Sequence, residues 1–287
     1  MDYKIKRQQG REVLKIRVYE NKDASTLPVL KFPALEAIDC IEHCVSTRYG
    51  GASKGIFSSV NVSFNRGDEK EAVMENYQRL GQVFAKEAKD FVTTKQTHTT
   101  NLRVVTQAEA GIGVTRPQDM DDIDGMLTNV PGLVLTAMFA DCVPLFFVDP
   151  YHRAIALSHS GWRGTVARMG QVTVEKMQEV YGSKPADIIC AIGPSICQEC
   201  YEVSEDVAEA FKAEFPTHED EIMYYKGKGK YQLDLWKANE IVLLEAGIEK
   251  AHISMTDICT CCNPELLFSH RASKGRRGNI GAFLMLK

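Results

Sequence analysis

The chain has 287 residues, 44% of them apolar and 25% charged, which permits a sizeable core and argues against disorder. A formal charge of -4 with no basic stripe gives no electrostatic reason to expect nucleic acid. No apolar run is long enough to span a bilayer and the polar start M-D-Y-K-I-K lacks a signal peptide's apolar stretch, so neither membrane nor export is expected.

Nine cysteines, an odd number, then point to free thiols in a reducing cytoplasm and to thiolate chemistry or metal ligation, not a disulfide scaffold. Residues 1–35 read as a polar antiparallel edge and a loop carrying Pro28 and Pro33. A strand-like stretch, Cys40 to Ser46, runs into a Gly50-Gly51 turn that presents Arg48, and Asn61 follows. From Asp68 to about Lys86, the spacing of Val73, Tyr77, Leu80, Val83 and Phe84 predicts a helix capped by Asp68. A short strand from Phe91 leads to His98, set among small polar residues. The acid-rich segment ending at Asp124 lacks EF-hand spacing and reads as a solvated loop that places Asp124 near a site.

An apolar strand from Leu133 to Phe139 precedes the central stretch. Two strands, Val143 to Val148 and Ala154 to Leu157, flank the turn Asp149-Pro150-Tyr151-His152. Paired as a hairpin, they bring Cys142 and His159 to one end. A thiol beside an imidazole means a metal site or a cysteine nucleophile with its base; a buried free cysteine beside a strand-end histidine is the plainer alternative. One long helix, with Val166, Met169, Val172, Thr173, Met177 and Val180 at helical intervals, is expected after Gly164. Its N-terminus would offer free N–H groups to an anion such as phosphate.

Beyond a strand at residues 187–192, Ser204 is expected to cap a helix to about Phe215, and another helix runs from Asp234 to about Gly247. Strands are expected at Leu266–Phe268 and Phe283–Leu286, with a basic run, Lys274 to Arg277, between them. The pair Cys197-x-x-Cys200 and the group Cys259-x-Cys261-Cys262 suggest a four-thiolate zinc site, but the second group, read as C-x-C-C, lacks the usual C-x-x-C form, which leaves small packing residues as the alternative. His98, Cys142 and His159, each ending an expected strand, suit a zinc ion with one open position. No repeat or compositional break divides the chain, so one domain over 1–287 is expected.

Several motifs together resemble the YfiH family: S-T-R-Y-G-G-A-S from Ser46, K-Q-T-H from Lys95, D-D-I-D-G-M from Asp121, A-D-C-V-P from Ala140, S-H-S-G-W-R-G from Ser158, A-I-G-P-S-I from Ala191 and a C-terminal C-T with F-S-H-R. That family, once called laccase-domain or polyphenol oxidase proteins, was later described as purine nucleoside phosphorylases with adenosine deaminase activity. The resemblance runs from about residue 40 to the C-terminus. It implies an α+β single domain of layered mixed sheets flanked by helices, with zinc on His98, Cys142 and His159 as both ligands and catalytic residues. It also implies phosphorolysis of adenosine, inosine and S-methyl-5'-thioadenosine, a transferase activity, with a deaminase (hydrolase) activity beside it.

Arg48, Arg163 and Arg271 match arginines of the family's motifs. On chemistry, Arg48 and Arg163 are expected to hold phosphate, because a fork of N–H donors suits that anion. Asn61 is a further expected substrate or phosphate contact, and Asp124 or Asp141 would orient a ligand histidine or meet ribose hydroxyls. Ser158 and Ser160 stand where the family often has alanine, and His270 and Ala272 where it often has tyrosine and arginine, so substrate preference is open. A blue multicopper laccase needs about ten histidines, and this chain has seven; copper at the His-Cys-His site would give weak phenol oxidation only. The competing expectations are a cysteine hydrolase or amidase using Cys142 with His159 or His98, including one acting on a cell-wall precursor, and a non-catalytic zinc scaffold. Expected partners are purine nucleosides and phosphate, in a cytoplasmic monomer or small homo-oligomer.

Overall fold

In a computed structural model of the chain, residues 3–8 and 10–287 are described. Met1, Asp2 and Gln9, part of the polar N-terminal reading, lie outside the described residues.

The fold is α+β, and burial explains its layers. The strands Val143–Asp149 and Ala154–Ser160 are buried along their whole length, so both faces must be covered. They pair antiparallel with Val143 opposite Ser160 and Pro144 opposite His159. Asp149 closes the turn by accepting the N–H groups of Tyr151 and His152 at 2.9 and 3.1 Å. The expected hairpin is therefore present, and it puts Cys142 and His159 at one end.

This hairpin sits in the middle of a six-stranded mixed sheet, with Ile189–Ile192 and Ile253–Met255 on one side and Gly125–Thr128 and Leu102–Val104 on the other. A second six-stranded sheet packs against it. Its order is Lys15–Glu20, Thr26–Lys31, Ile41–Ser46, Ile280–Leu286, Val134–Phe139 and Phe91–Thr93. Leu135, Ala137 and Leu284 of this sheet meet Phe146, Ile155 and Leu157 of the first in one apolar core. The outer face of the first sheet is covered by helices that include Met169–Tyr181, Glu205–Glu214 and Leu235–Glu245; that of the second is covered by helix Lys70–Phe84. A small three-stranded sheet, Glu202–Ser204, Lys230–Leu233 and Met223–Gly227, extends the helical side.

Several expectations need correction. Pro28 lies in a strand, opposite Val18, and not in a loop, while Pro33 opens a one-turn helix where its missing N–H costs nothing. The N-cap of the helix at residue 70 is Glu69; Asp68 instead accepts a bond from Asn61 Nδ2 at 2.9 Å. Ser204 stands at an N-cap position but its hydroxyl is turned to the Asp206 carboxylate. Leu266–Phe268 is not a strand, although all three side chains are buried in the core. The long helix after Gly164 is divided into Trp162–Val166 and Met169–Tyr181 by Arg168, which adopts a left-handed conformation with φ of 59°. The expected phosphate seat at its start is thus the end of a single short turn of helix.

Candidate metal centre

The site lies at the seam between the two large sheets, and one buried acid organises it. Asp124, 1% exposed, stands at the start of the strand Gly125–Thr128. Its carboxylate accepts the N–H groups of Thr97, His98 and Thr99 at 3.0, 3.0 and 2.9 Å, curling the loop after Phe91–Thr93 around it. His98 takes φ of 70° at the apex of this loop, so its exposed side chain leaves the curl toward the hairpin end. The same carboxylate accepts Nδ1–H of His159 at 2.8 Å. That bond fixes the tautomer and leaves Nε2 of His159 free as a ligand.

Cys142 follows Asp141, whose φ is 90°. Asp141 is held from three directions: its carboxylate accepts Thr260 Oγ1 at 2.6 Å and the Arg271 N–H at 2.7 Å, and its carbonyl accepts the Ile196 N–H at 3.0 Å. Of the two acids expected to orient a histidine, Asp124 does so and Asp141 anchors the chain before Cys142. Gly161 completes the enclosure, because a Cβ there would stand 3.0 Å from His98 Cδ2 and 3.1 Å from Cys142 Sγ.

His98, Cys142 and His159 thereby bring one ligand atom each to within 4.8 Å of one another. Cys142 Sγ is 3.9 Å from His98 Nε2. Burial resists ionisation of the Cys142 thiol, but the His159 and His98 imidazoles prevail and bring it down to about 6. Burial likewise opposes the cationic form of His159, yet the Cys142 sulfur and the Asp124 carboxylate raise it to about 9. Burial disfavours ionised Asp124 too, but the bonds from His159, Thr99 and Thr97 hold it at about 2. At neutral pH these shifts pair a thiolate with the His159 imidazolium; zinc binding would release the Nε2 proton, and a thiolate with two neutral imidazoles is a donor set that fits zinc and leaves a coordination position open.

These three residues line a cavity of about 1300 Å³. The arginines expected to reach it do not line it. Arg48 donates to the carbonyls of Ser58 and Pro264 and lies over the Phe268 ring, 4.6 Å from its centroid, beside a smaller cavity. Arg271 donates to the carbonyls of Cys200 and Glu202 at 3.1 and 3.0 Å, and Arg163 lies over Trp162. Asn61 is fully buried and joins Ser63 to Asn279 through its amide.

Arg66, Lys70, Lys95, Arg116 and Arg277 line the cavity, and the buried one among them is Arg277, which sequence reasoning read only as part of a basic run. It is 8% exposed, and its Nε–H has no hydrogen-bond partner. Burial first and then the nearby Arg66 lower its pKa to about 10, against Asp141 and Cys142, so it stays cationic at neutral pH. Arg66 lines the same cavity.

Residues 42–287 match the family model described as multi-copper polyphenol oxidoreductase laccase. Purine nucleoside phosphorylase YlmD of Bacillus subtilis is 35% identical over 243 residues, covering 84% of this chain and 87% of that protein. Adenosine deaminase RL5, from an unknown prokaryotic organism, is 31% identical, covering 84% and 92%. The crystal structure of a hypothetical protein YfiH from Bacillus licheniformis superposes with a TM-score of 0.86 at 31% identity, covering 90% of this chain and 96% of the other. Extent, identity and fold agree, and the chain belongs to the laccase-like YfiH family.

Proposed function

We propose that this protein is a zinc-dependent purine nucleoside phosphorylase acting on adenosine, inosine and S-methyl-5'-thioadenosine, with adenosine deamination as a second activity. The observation that carries the reading is the meeting, on one cavity, of the His98–Cys142–His159 donor set with a buried arginine whose Nε–H is unpartnered. The names of the relatives, purine nucleoside phosphorylase and adenosine deaminase, supply the reaction classes.

Bound to these donors, zinc supplies Lewis acidity toward an electron-rich atom of the substrate. The chain's own groups do the rest. Asp124 holds His159 in one tautomer and orientation. Arg277, with Arg66 beside it, takes the co-substrate phosphate in place of Arg48 and Arg163, because a guanidinium largely withdrawn from water binds an oxyanion strongly. Phosphate held there is positioned to attack the ribose anomeric carbon as the purine leaves. No helix of the described residues is long and apolar enough to cross a membrane.

A product assay tests this. Zinc-loaded protein is incubated with adenosine, with and without phosphate, beside a Cys142→Ala variant. Adenine and ribose 1-phosphate are expected only with phosphate and only from the parent chain. Inosine formed without phosphate would make deamination the main reaction, and no turnover of either kind would overturn the nucleoside reading. Copper is the rival metal, since two imidazoles and a thiolate also suit it; phenol oxidation by the copper-loaded protein at a rate above nucleoside turnover would favour it.

A further inference from the structure

Away from this cavity, on the helical side of the first sheet, the structure carries a second set of converging donors. We propose that Cys197, Cys200, Cys259 and Cys262 form a structural tetrathiolate zinc site that staples the 197–200 turn to the 259–262 turn.

The four sulfurs all lie within 4.8 Å of one another, with Cys200 to Cys262 at 3.5 Å and Cys197 to Cys262 at 4.0 Å. Zinc–sulfur bonds of about 2.3 Å in a regular tetrahedron set neighbouring sulfurs about 3.8 Å apart. A disulfide needs about 2.05 Å and joins only two of the four. The spacing also agrees. Cys259 and Cys262 stand three positions apart, so both turns have the C-x-x-C form of structural zinc sites; Cys261 hides this when the second group is read as C-x-C-C.

The hydrogen bonds distinguish the cluster from cysteines that merely fill space. Cys259 is fully buried, and its Sγ accepts two main-chain N–H groups, from Cys197 at 3.2 Å and from Cys262 at 3.4 Å. Gln8 Nε2 donates to Cys262 Sγ at 3.7 Å. A neutral thiol is a weak acceptor, whereas a metal-bound thiolate draws such donors. None of the hydrogen bonds to these sulfurs among the described residues comes from a basic side chain, so a cation at their centre is what would balance thiolate charge there.

The staple also bears on the first site. Ile196 and Thr260, each next to a proposed ligand, are two of the three groups that grip Asp141, the residue before Cys142. Cys200 offers its carbonyl to Arg271, whose N–H is the third. A metal holding both turns would therefore hold the segment that presents Cys142, without touching the substrate cavity.

Differential alkylation of the unmodified chain tests this without any variant that risks misfolding. The protein is purified under reducing conditions, loaded with zinc, desalted, and its zinc counted; it is then treated with iodoacetamide before and after chelation, and each cysteine peptide is read by mass spectrometry. The expected result is one zinc ion per chain besides any held at Cys142, with Cys197, Cys200, Cys259 and Cys262 protected together and released together by the chelator. Cys142 reports the first site separately, so a failure there leaves this inference standing. Substituting cobalt(II) in a His98→Ala chain should leave the intense visible absorption of tetrahedral thiolate coordination. Alkylation of Cys200 and Cys262 unaffected by chelation, a Cys200–Cys262 disulfide, or no cobalt–thiolate absorption would overturn it.

Discussion

The carboxylate of Asp124 binds Nδ1–H of His159 at 2.8 Å while its two oxygens also collect the N–H groups of the loop that carries His98. One acid thus sets the geometry of two proposed ligands that come from different sheets. Asp124→Asn should keep the fold but replace an acceptor-only group by one that also presents an N–H, so His159 loses its fixed tautomer and the loop one of its acceptors. Metal affinity should fall about 10–100-fold, as for other groups that orient a metal-bound histidine. Chelator competition measures this, and an unchanged affinity would show that Asp124 serves only the loop.

Gly161→Ala tests the same centre by sterics. The backbone there has φ of -74°, which alanine adopts without strain. The added Cβ meets the His98 ring and the Cys142 sulfur at 3.0 and 3.1 Å, inside normal contact. Thermal stability should change little while zinc content and turnover drop together. A variant with full zinc occupancy and full activity would mean that the ring and the sulfur do not need to approach as closely as they do.

Arg277→Gln removes the charge while keeping donor atoms and most of the volume. Losing a charge-assisted bond of about 1.5–3 kcal/mol corresponds to roughly 10–100-fold in binding. The KM for phosphate should rise by that order, the KM for nucleoside much less, and zinc content not at all. Equal effects on both KM values would place Arg277 in a structural role.

Which parts of this were legible in the sequence follows from how local their causes are. The hairpin that joins Cys142 to His159 was readable because its turn is written in adjacent residues, an Asp-Pro pair whose acid closes the turn by itself. His98 and His159 are readable as strand-end histidines, but the acid that orients His159 is not, since the choice between Asp124 and Asp141 depends on which acid meets Thr260 and Arg271 from the far end of the chain. Arg277 was hidden for the same reason. A basic run reads as solvated surface, whereas Arg277 donates to Asn279, whose own N–H is tied to the buried Asn61 amide more than 200 residues earlier. The break in the helix after Gly164 does not show in the sequence, because the apolar spacing continues through Arg168. That left-handed residue is held by Glu214 and Glu245, from two later segments.

The strand Ile41–Ser46 supplies a prediction about stability and not activity. His43 is 1% exposed, packed near Phe32 and Phe146, and its Nε2 accepts the Phe32 N–H at 2.9 Å. Burial, then the positive charges of Lys31 and Lys287, push its pKa down to about 3. The unfolded chain regains an ordinary histidine near 6.5. Between those values the unfolded state holds a proton that the folded state refuses, so folding stability rises with pH there. The stabilisation is complete above about pH 6.5 and is lost as pH falls toward 3, at about 1.4 kcal/mol per pH unit, or about 2 kcal/mol by pH 5. His43→Gln can keep an acceptor for the Phe32 N–H but has nothing to titrate. Urea unfolding of both chains from pH 8 to pH 5 should therefore show the parent losing stability faster than the variant, the gap closing by about 2 kcal/mol. Because every other titrating group is common to the two chains, parallel curves would mean that His43 takes up its proton in the folded state, and that the core around Phe32 and Phe146 opens to admit it.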